Sequence, residues 1–222
     1  MRRWFRDNRG LLLFLVAFGF FRTAIADWNP VPSGSMRPTI LEGDVVWVNR
    51  LAYDLKIPLT NIVIAKLGEP QRGDIVTFAS PKDGTRLIKR IVAVPGDTVE
   101  LRDEVLFING RPAQYTNLAP AKEAIGYGLV VDAIQATESV AGSRRTVQTL
   151  AGVRAKRSFG VLAVPAGQFF MLGDNRDNSE DSRFIGVVPR ELLIGRAERV
   201  LVSANITGNW LPRFERTASK LQ

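Results

Sequence analysis

The spacing of apolar and polar positions changes character near Pro30. Residues 10–21 are an unbroken apolar run of twelve, with no alternation. Beyond Pro30 the apolar positions shorten into runs rich in Val, Ile and Phe, at residues 45–48, 75–78, 87–94, 105–108, 161–164 and 169–172. Gly43-Asp44, Gly73-Asp74, Pro95-Gly96 and Asn109-Gly110 bound these runs as turns, so the pattern predicts a mostly β body. Residues 191–202 fit strand or helix equally. Between residues 111 and 160 the pattern loosens, and only 127–134 and 144–153 read as weak strands. The expected organisation is a basic flank and apolar helix over 1–28, a β domain over 29–110 and 161–222, and an inserted cap over 111–160.

The apolar run follows Arg2, Arg3, Arg6 and Arg9. Two readings compete for it. As a secretory signal it has a basic flank, an apolar centre and Ala24-Ile25-Ala26 as a small-x-small cleavage site. As an anchor the helix extends from about Trp4 to Trp28. Those roughly 25 residues at ~1.5 Å each span about 36 Å, more than a ~30 Å hydrocarbon core. Both readings send the rest of the chain across the membrane, because the positive flank stays inside.

Charge and composition narrow the chemistry. The chain carries 30 Lys+Arg against 22 Asp+Glu, a net charge of +8. A basic protein first suggests nucleic acid, but here the N-terminal pattern points to a membrane. Residues 139–172 hold Arg144, Arg145, Arg154, Lys156 and Arg157 with no acid, expected as a solvated face, with anionic headgroup contact as the alternative. Histidine and cysteine are both absent. That removes Ser–His–Asp and Cys–His hydrolases, His- or Cys-ligated metal sites and disulfides. A hydrolase built from this chain needs Lys, Asp, Glu or an amine as its base.

Three segments stand out. Pro32-Ser33-Gly34-Ser35-Met36-Arg37-Pro38-Thr39 sets two serines around a glycine between stiff prolines, a loop able to present a hydroxyl and a backbone N–H to one point. Read alone, it is better taken as a Pro/Ser/Gly turn joining the N-terminal helix to a strand. Lys89 sits inside the apolar strand 87–94, where a lysine is costly unless neutral or paired. Lowering its pKa from ~10.4 to ~7–8 requires roughly 4 kcal/mol, which burial can supply. Residues 173–183 (GDNRDNSEDSR) are eleven positions without a large apolar side chain. They fit a fixed Asp–Arg hydrogen-bond network better than a Ca²⁺ loop, whose spacing they lack.

In this order, with Arg72-Gly73-Asp74 and Pro95-Gly96-Asp97 between them, the segments resemble the bacterial type I signal peptidases (leader peptidases), membrane-bound Ser–Lys proteases. The resemblance covers most of the chain. It implies an antiparallel β-sheet catalytic domain with a short inserted cap, behind one transmembrane helix. It also implies an endopeptidase that removes N-terminal signal peptides after small-x-small sites, without a cofactor or metal. Carried over by position, Ser35 matches the nucleophile and Lys89 the general base. Ser33 matches a hydroxyl that joins the Ser35 N–H in the oxyanion hole. Ser179 matches the serine that orients the lysine, and Asp181 with Arg183 a supporting ion pair. Met36 and Ile88 fall where shallow substrate pockets would be lined. The implied partners are preprotein signal peptides and the lipid bilayer, not nucleic acid. The implied place is the bacterial inner membrane, single-pass, with a cytoplasmic N-terminus and a periplasmic catalytic domain.

The chain departs from many relatives in having one anchor and a short insertion. A processing peptidase dedicated to pilin or conjugation substrates is therefore a rival of the same chemistry. From another class, a secreted β-rich binding protein cut after Ala26 would use the polar loop as a ligand site. It offers no reason for the three segments to occur together. The C-terminal Trp210-Leu211-Pro212-Arg213-Phe214 reads as a membrane-interface contact or a frayed tail.

Overall fold

A computed structural model describes Trp4, residues 7–125 and residues 129–221. Arg2, Arg3 and Arg6 of the basic flank, and Tyr127 of an expected strand, lie outside the described residues.

The N-terminal helix runs Arg9–Ala24, 16 residues or about 24 Å. Asn8 N–H bonds Trp4 O and Leu12 N–H bonds Asn8 O, so helical bonding begins on its N-terminal side. Arg22 in the last turn complements the helix dipole. The expected helix from Trp4 to Trp28 is corrected at its far end. Strand β1 (Ala26–Pro30) starts two residues after the helix stops and takes Asp27 and Trp28 into a sheet. Among the described residues no helix is long and apolar enough to cross a membrane. Ala24 and Ala26, the two small residues of the small-x-small site, are both buried.

The chain continues through β2 (Asp44–Asn49), β3 (Asp54–Lys56), β4 (Val63–Lys66), β5 (Ile75–Ala79), β6 (Arg86–Ala93), β7 (Thr98–Arg102), β8 (Val105–Ile108) and β9 (Arg111–Pro112). It then forms β10 (Gln114–Ile125), β11 (Leu129–Val140), β12 (Ser143–Leu150), β13 (Phe159–Ala163), β14 (Gln168–Leu172), β15 (Val188–Pro189) and β16 (Leu193–Ser203). The ambiguous segment 191–202 is thus mostly strand. β2 shows why the pattern reads as it does: buried and half-buried residues alternate along it, with Val46 and Val48 fully inside.

Seven strands form an antiparallel sheet in the order β1-β2-β16-β5-β6-β14-β15. It coils on itself. Arg86 at the start of β6 donates to Asp27 (2.9 Å) and Asn29 (2.5 Å) of β1, although three strands separate β1 from β6 in the sheet. Residues 86–89 of β6 pair only with β5, because β14 reaches no further than Arg90. The coil therefore sets the free edge of β1 opposite an open stretch of β6. Met36, Ile40, Val46, Val48 and Ile75 pack beneath this part.

β13-β7-β8-β9 form a second sheet and β10-β11-β12 a third. The basic run of 139–172 is not one solvated face. Arg145 is buried with Arg176 against Glu138, and Tyr115 donates to the same carboxylate at 2.8 Å. Arg157 pairs with Glu104 and Asp177. Acids elsewhere in the sequence pair with Arg145 and Arg157, while Arg144, Arg154 and Lys156 stay exposed. The C-terminal segment is not frayed. Arg213 N–H bonds Ser203 O, and Arg216 clasps buried Asp44, while Trp210, Leu211 and Phe214 stay exposed.

Candidate active site

Ser35 sits in a 3-10 turn, Gly34–Met36, entered from extended Ser33. Pro32 and Pro38 limit the backbone on either side, and Gly34 has no room for a side chain beside Glu42 Oε1. The turn faces the middle of β6, where Lys89 Nζ meets Ser35 Oγ at 2.5 Å. Both residues are buried, Lys89 at 3% and Ser35 at 7% exposure. Burial pulls the Lys89 amine down to about 8, against Asp181, Asp174 and Glu180, which favour its charged form.

The polar loop after β14 holds this pair from below. Asn175 Nδ2 donates to Gly34 O at 3.1 Å, and Asn175 N–H donates to Ser35 O at 3.1 Å. Asp174 receives two bonds from buried Arg90 (2.9 and 2.7 Å) and one from Thr39 Oγ1 (2.6 Å). Asp181 takes a two-pronged contact from Arg183 at 2.8 Å each, and also accepts from Gly173 N–H at 3.0 Å. The loop's aspartates, Asp174, Asp177 and Asp181, are thus engaged by arginines, and Glu180 pairs with Lys82. Among the described residues no group of three or more metal-ligating side chains gathers.

The structure brings Ser35, Lys89, Asp181 and Arg183 together. Ser33 is exposed, and its side chain does not cap the turn. Two expectations are modified. Ser179 Oγ is buried at the site but makes no hydrogen bond, so the expected bond to Lys89 is not formed. It packs beside Gly173, directly under the Ser35 carbonyl. Met36 has no exposed surface, because it is packed into the core with Val31 and Ile40. Half-buried Ile88 packs on that cluster, and Met36 can only form the floor under it.

Asn175, Arg90 and Asp174 were not among the site residues read from sequence. Their signal was there: Arg90 follows Lys89 inside one apolar strand, and consecutive strand residues face opposite ways. Two adjacent cations, both buried, require a carboxylate on each side of the sheet or a deprotonated amine.

The family profile described as "Signal peptidase, peptidase S26" matches residues 1–202. A signal peptidase I of Pseudomonas fluorescens is 35% identical over 205 residues, covering 86% of this chain and 69% of that protein. A signal peptidase I of Rickettsia typhi is 36% identical over 207 residues, covering 84% and 75%. Among solved structures, a crystal structure of a signal peptidase I from Enterococcus faecalis shares 32% identity and aligns over 58% of this chain and 96% of that one, with a TM-score of 0.36. A β-rich fold with a buried serine–lysine pair and no histidine defines a class of hydrolase, the serine peptidases that work without imidazole. The chain belongs to the signal peptidase family, peptidase S26, and is a serine endopeptidase.

Proposed function

We propose that this protein removes N-terminal signal peptides from exported preproteins by a Ser35–Lys89 dyad. The observation that carries the reading is the 2.5 Å contact between Lys89 Nζ and Ser35 Oγ, both buried, in a chain with no histidine. Neutral Lys89 takes the Ser35 proton as Oγ attacks the scissile carbonyl. Ser33 Oγ and the Ser35 N–H hold the oxyanion, and protonated Lys89 gives its proton to the leaving amine. Water, deprotonated by the same lysine, then releases the acyl group and restores Ser35. Asp181 and Arg183 fix the loop that shapes the site.

The substrate enters extended, between the free edge of β1 and residues 86–89 of β6, as an added strand. Ile88, with Met36 beneath, offers a shallow apolar floor suited to small side chains. The N-terminal helix sits in the bacterial cytoplasmic membrane, with the catalytic body outside the cytoplasm. Of its side chains only Ala24 is buried by the protein, while Leu13, Phe14 and Val16 are more than half exposed. A helix of about 24 Å meets a ~30 Å core through local thinning and snorkelling of Arg9 and Arg22. The sheet β10-β11-β12 acts as a cap that braces the polar loop.

The test is cleavage of a purified preprotein with an Ala-x-Ala site, in detergent, by the wild type, Ser35→Ala and Lys89→Ala. Cutting after the second alanine by the wild type alone is expected. Equal cutting by either variant would sink the dyad. Lys89→Arg is also expected to be inactive, since a guanidinium stays protonated.

A further inference from the structure

Where the N-terminal helix gives way to β1, three arginines surround one carboxylate. Asp27 is contacted by Arg86 at 2.9 Å, Arg22 at 3.4 Å and Arg50 at 3.6 Å. Its side chain is 6% exposed, whereas those of Arg22 and Arg86 are 49% exposed. Three positive charges against one negative leave the cluster two short of neutrality. These residues line a cavity of about 440 Å³, together with Thr23 at the helix end and Thr60 and Asn61 at the tip of the β3–β4 hairpin. Burial holds the Arg50 guanidinium below its usual value; Asp27 opposes this and Arg86 adds to it.

We propose that this cavity binds the phosphate of an anionic phospholipid headgroup. Guanidinium groups suit phosphate oxygens geometrically, and an anion here supplies the missing negative charge. The surroundings favour a lipid as its source. The helix shows Phe18, Phe20 and Phe21 at 40% exposure or more, and the hairpin shows Leu59 (87%), Ile62 (60%) and Ile64 (61%). Apolar surface on both sides of a cationic cavity matches acyl chains beside a headgroup. Arg22 also lies 4.7 Å over the Trp28 ring, the pairing of cation and indole suited to a membrane interface. The site lies on β1, the strand that leads into the Ser33–Ser35 turn. This assignment rests on the membrane seat proposed for the helix.

The experiment uses the full chain and an Arg22→Gln/Arg86→Gln double variant. Flotation with phosphatidylcholine vesicles tests the membrane seat. Thermal midpoints in non-ionic detergent are then read with short-chain phosphatidylglycerol, short-chain phosphatidylcholine or inorganic phosphate. The expected result is flotation of both proteins and a rise of roughly 5 °C or more at saturating phosphatidylglycerol for the wild type only. A wild type that floats without preferring phosphatidylglycerol overturns the headgroup site and leaves the membrane seat intact. An equal rise with inorganic phosphate overturns the lipid as the ligand. A double variant that keeps the preference overturns the arginine assignment. A chain that does not float sinks the seat and the headgroup site together.

Discussion

Burying the Lys89 amine costs the fold stability wherever the unfolded chain would carry that charge. Its pKa is about 8 in the fold, against 10.5 when free. Between those values the unfolded chain binds more protons, so the sign is a stability that rises with pH through this window. Below pH 8 the whole cost, about 3 kcal/mol, is present. Lys89→Met is therefore expected to abolish cleavage yet stabilise the protein at pH 7 by up to ~3 kcal/mol, read from urea unfolding. The same ionisation predicts that kcat/KM climbs about tenfold per unit below pH 8 and levels above it. A flat profile from pH 5 to 9, with chemistry rate-limiting, would contradict a lysine base. Gly173 is the second sensitive position. A Cβ there would lie 2.5 Å from Ser35 O, a backbone atom that cannot move without moving the nucleophile. Gly173→Ala is expected to lose 100-fold or more in kcat with KM little changed, measured on a short peptide substrate. Lys89 was legible in the sequence because a lysine inside an apolar strand breaks a local rule, whereas Ser35 stood out only through the resemblance, its loop alone reading as a linker turn. Asn175 was not singled out, since nothing in a polar loop tells which amide reaches across to another segment.

Among the elements, β10, β11 and β12 were the least legible. β10 is exposed along most of its length, so the two-residue alternation that marks a half-buried strand is missing. Val140 and Tyr115 pack this sheet onto the core with Phe170 and Leu172, and polar contacts tie it to the loop after β14. Gln148 N–H bonds Asp174 O, Arg176 N–H bonds Gln148 O, and Leu150 N–H bonds Asp177. Glu138 anchors the arrangement. Its burial opposes ionisation, but Arg176 and Arg145 override that and hold its carboxyl at about 2. The stabilisation from this charge is present above the ordinary carboxylate range and is lost as pH falls toward 2. Glu138→Gln leaves two buried guanidinium groups without their counter-charge. It is expected to destabilise the protein by about 3–5 kcal/mol in urea and to lower cleavage through the attached loop. The cations of this cluster were visible in the sequence and their acid was not, because it precedes the run and meets Arg176 only in the fold.

At the scale of the whole molecule, the mostly β character was legible through β2, β5, β6, β8, β13 and β14, whose apolar runs stand out, while short strands such as β3, β4, β9 and β15 are too brief to show an alternation. The coil of the sheet was not. It brings Arg86 to Asp27 and Asn29, contacts between residues nearly sixty positions apart that leave no local trace. The far end of the N-terminal helix was misjudged for a related reason. Apolar continuity favours helix through Trp28, but pairing with β2 claims residues 26–30 for the sheet.

The gap between β1 and β6 makes the main sheet an incomplete cylinder, and a bound peptide would close the circuit. Those backbone amides among residues 86–89 that face the gap, and not β5, should then trade their protons with solvent quickly in the free enzyme. They should become shielded when an uncleavable peptide occupies the Ser35→Ala variant. Amide hydrogen exchange read by mass spectrometry reports that change directly, and unchanged exchange there would place the peptide elsewhere. A substrate seated there would briefly be part of the enzyme's architecture. The fold would then be most complete at the moment before the cut.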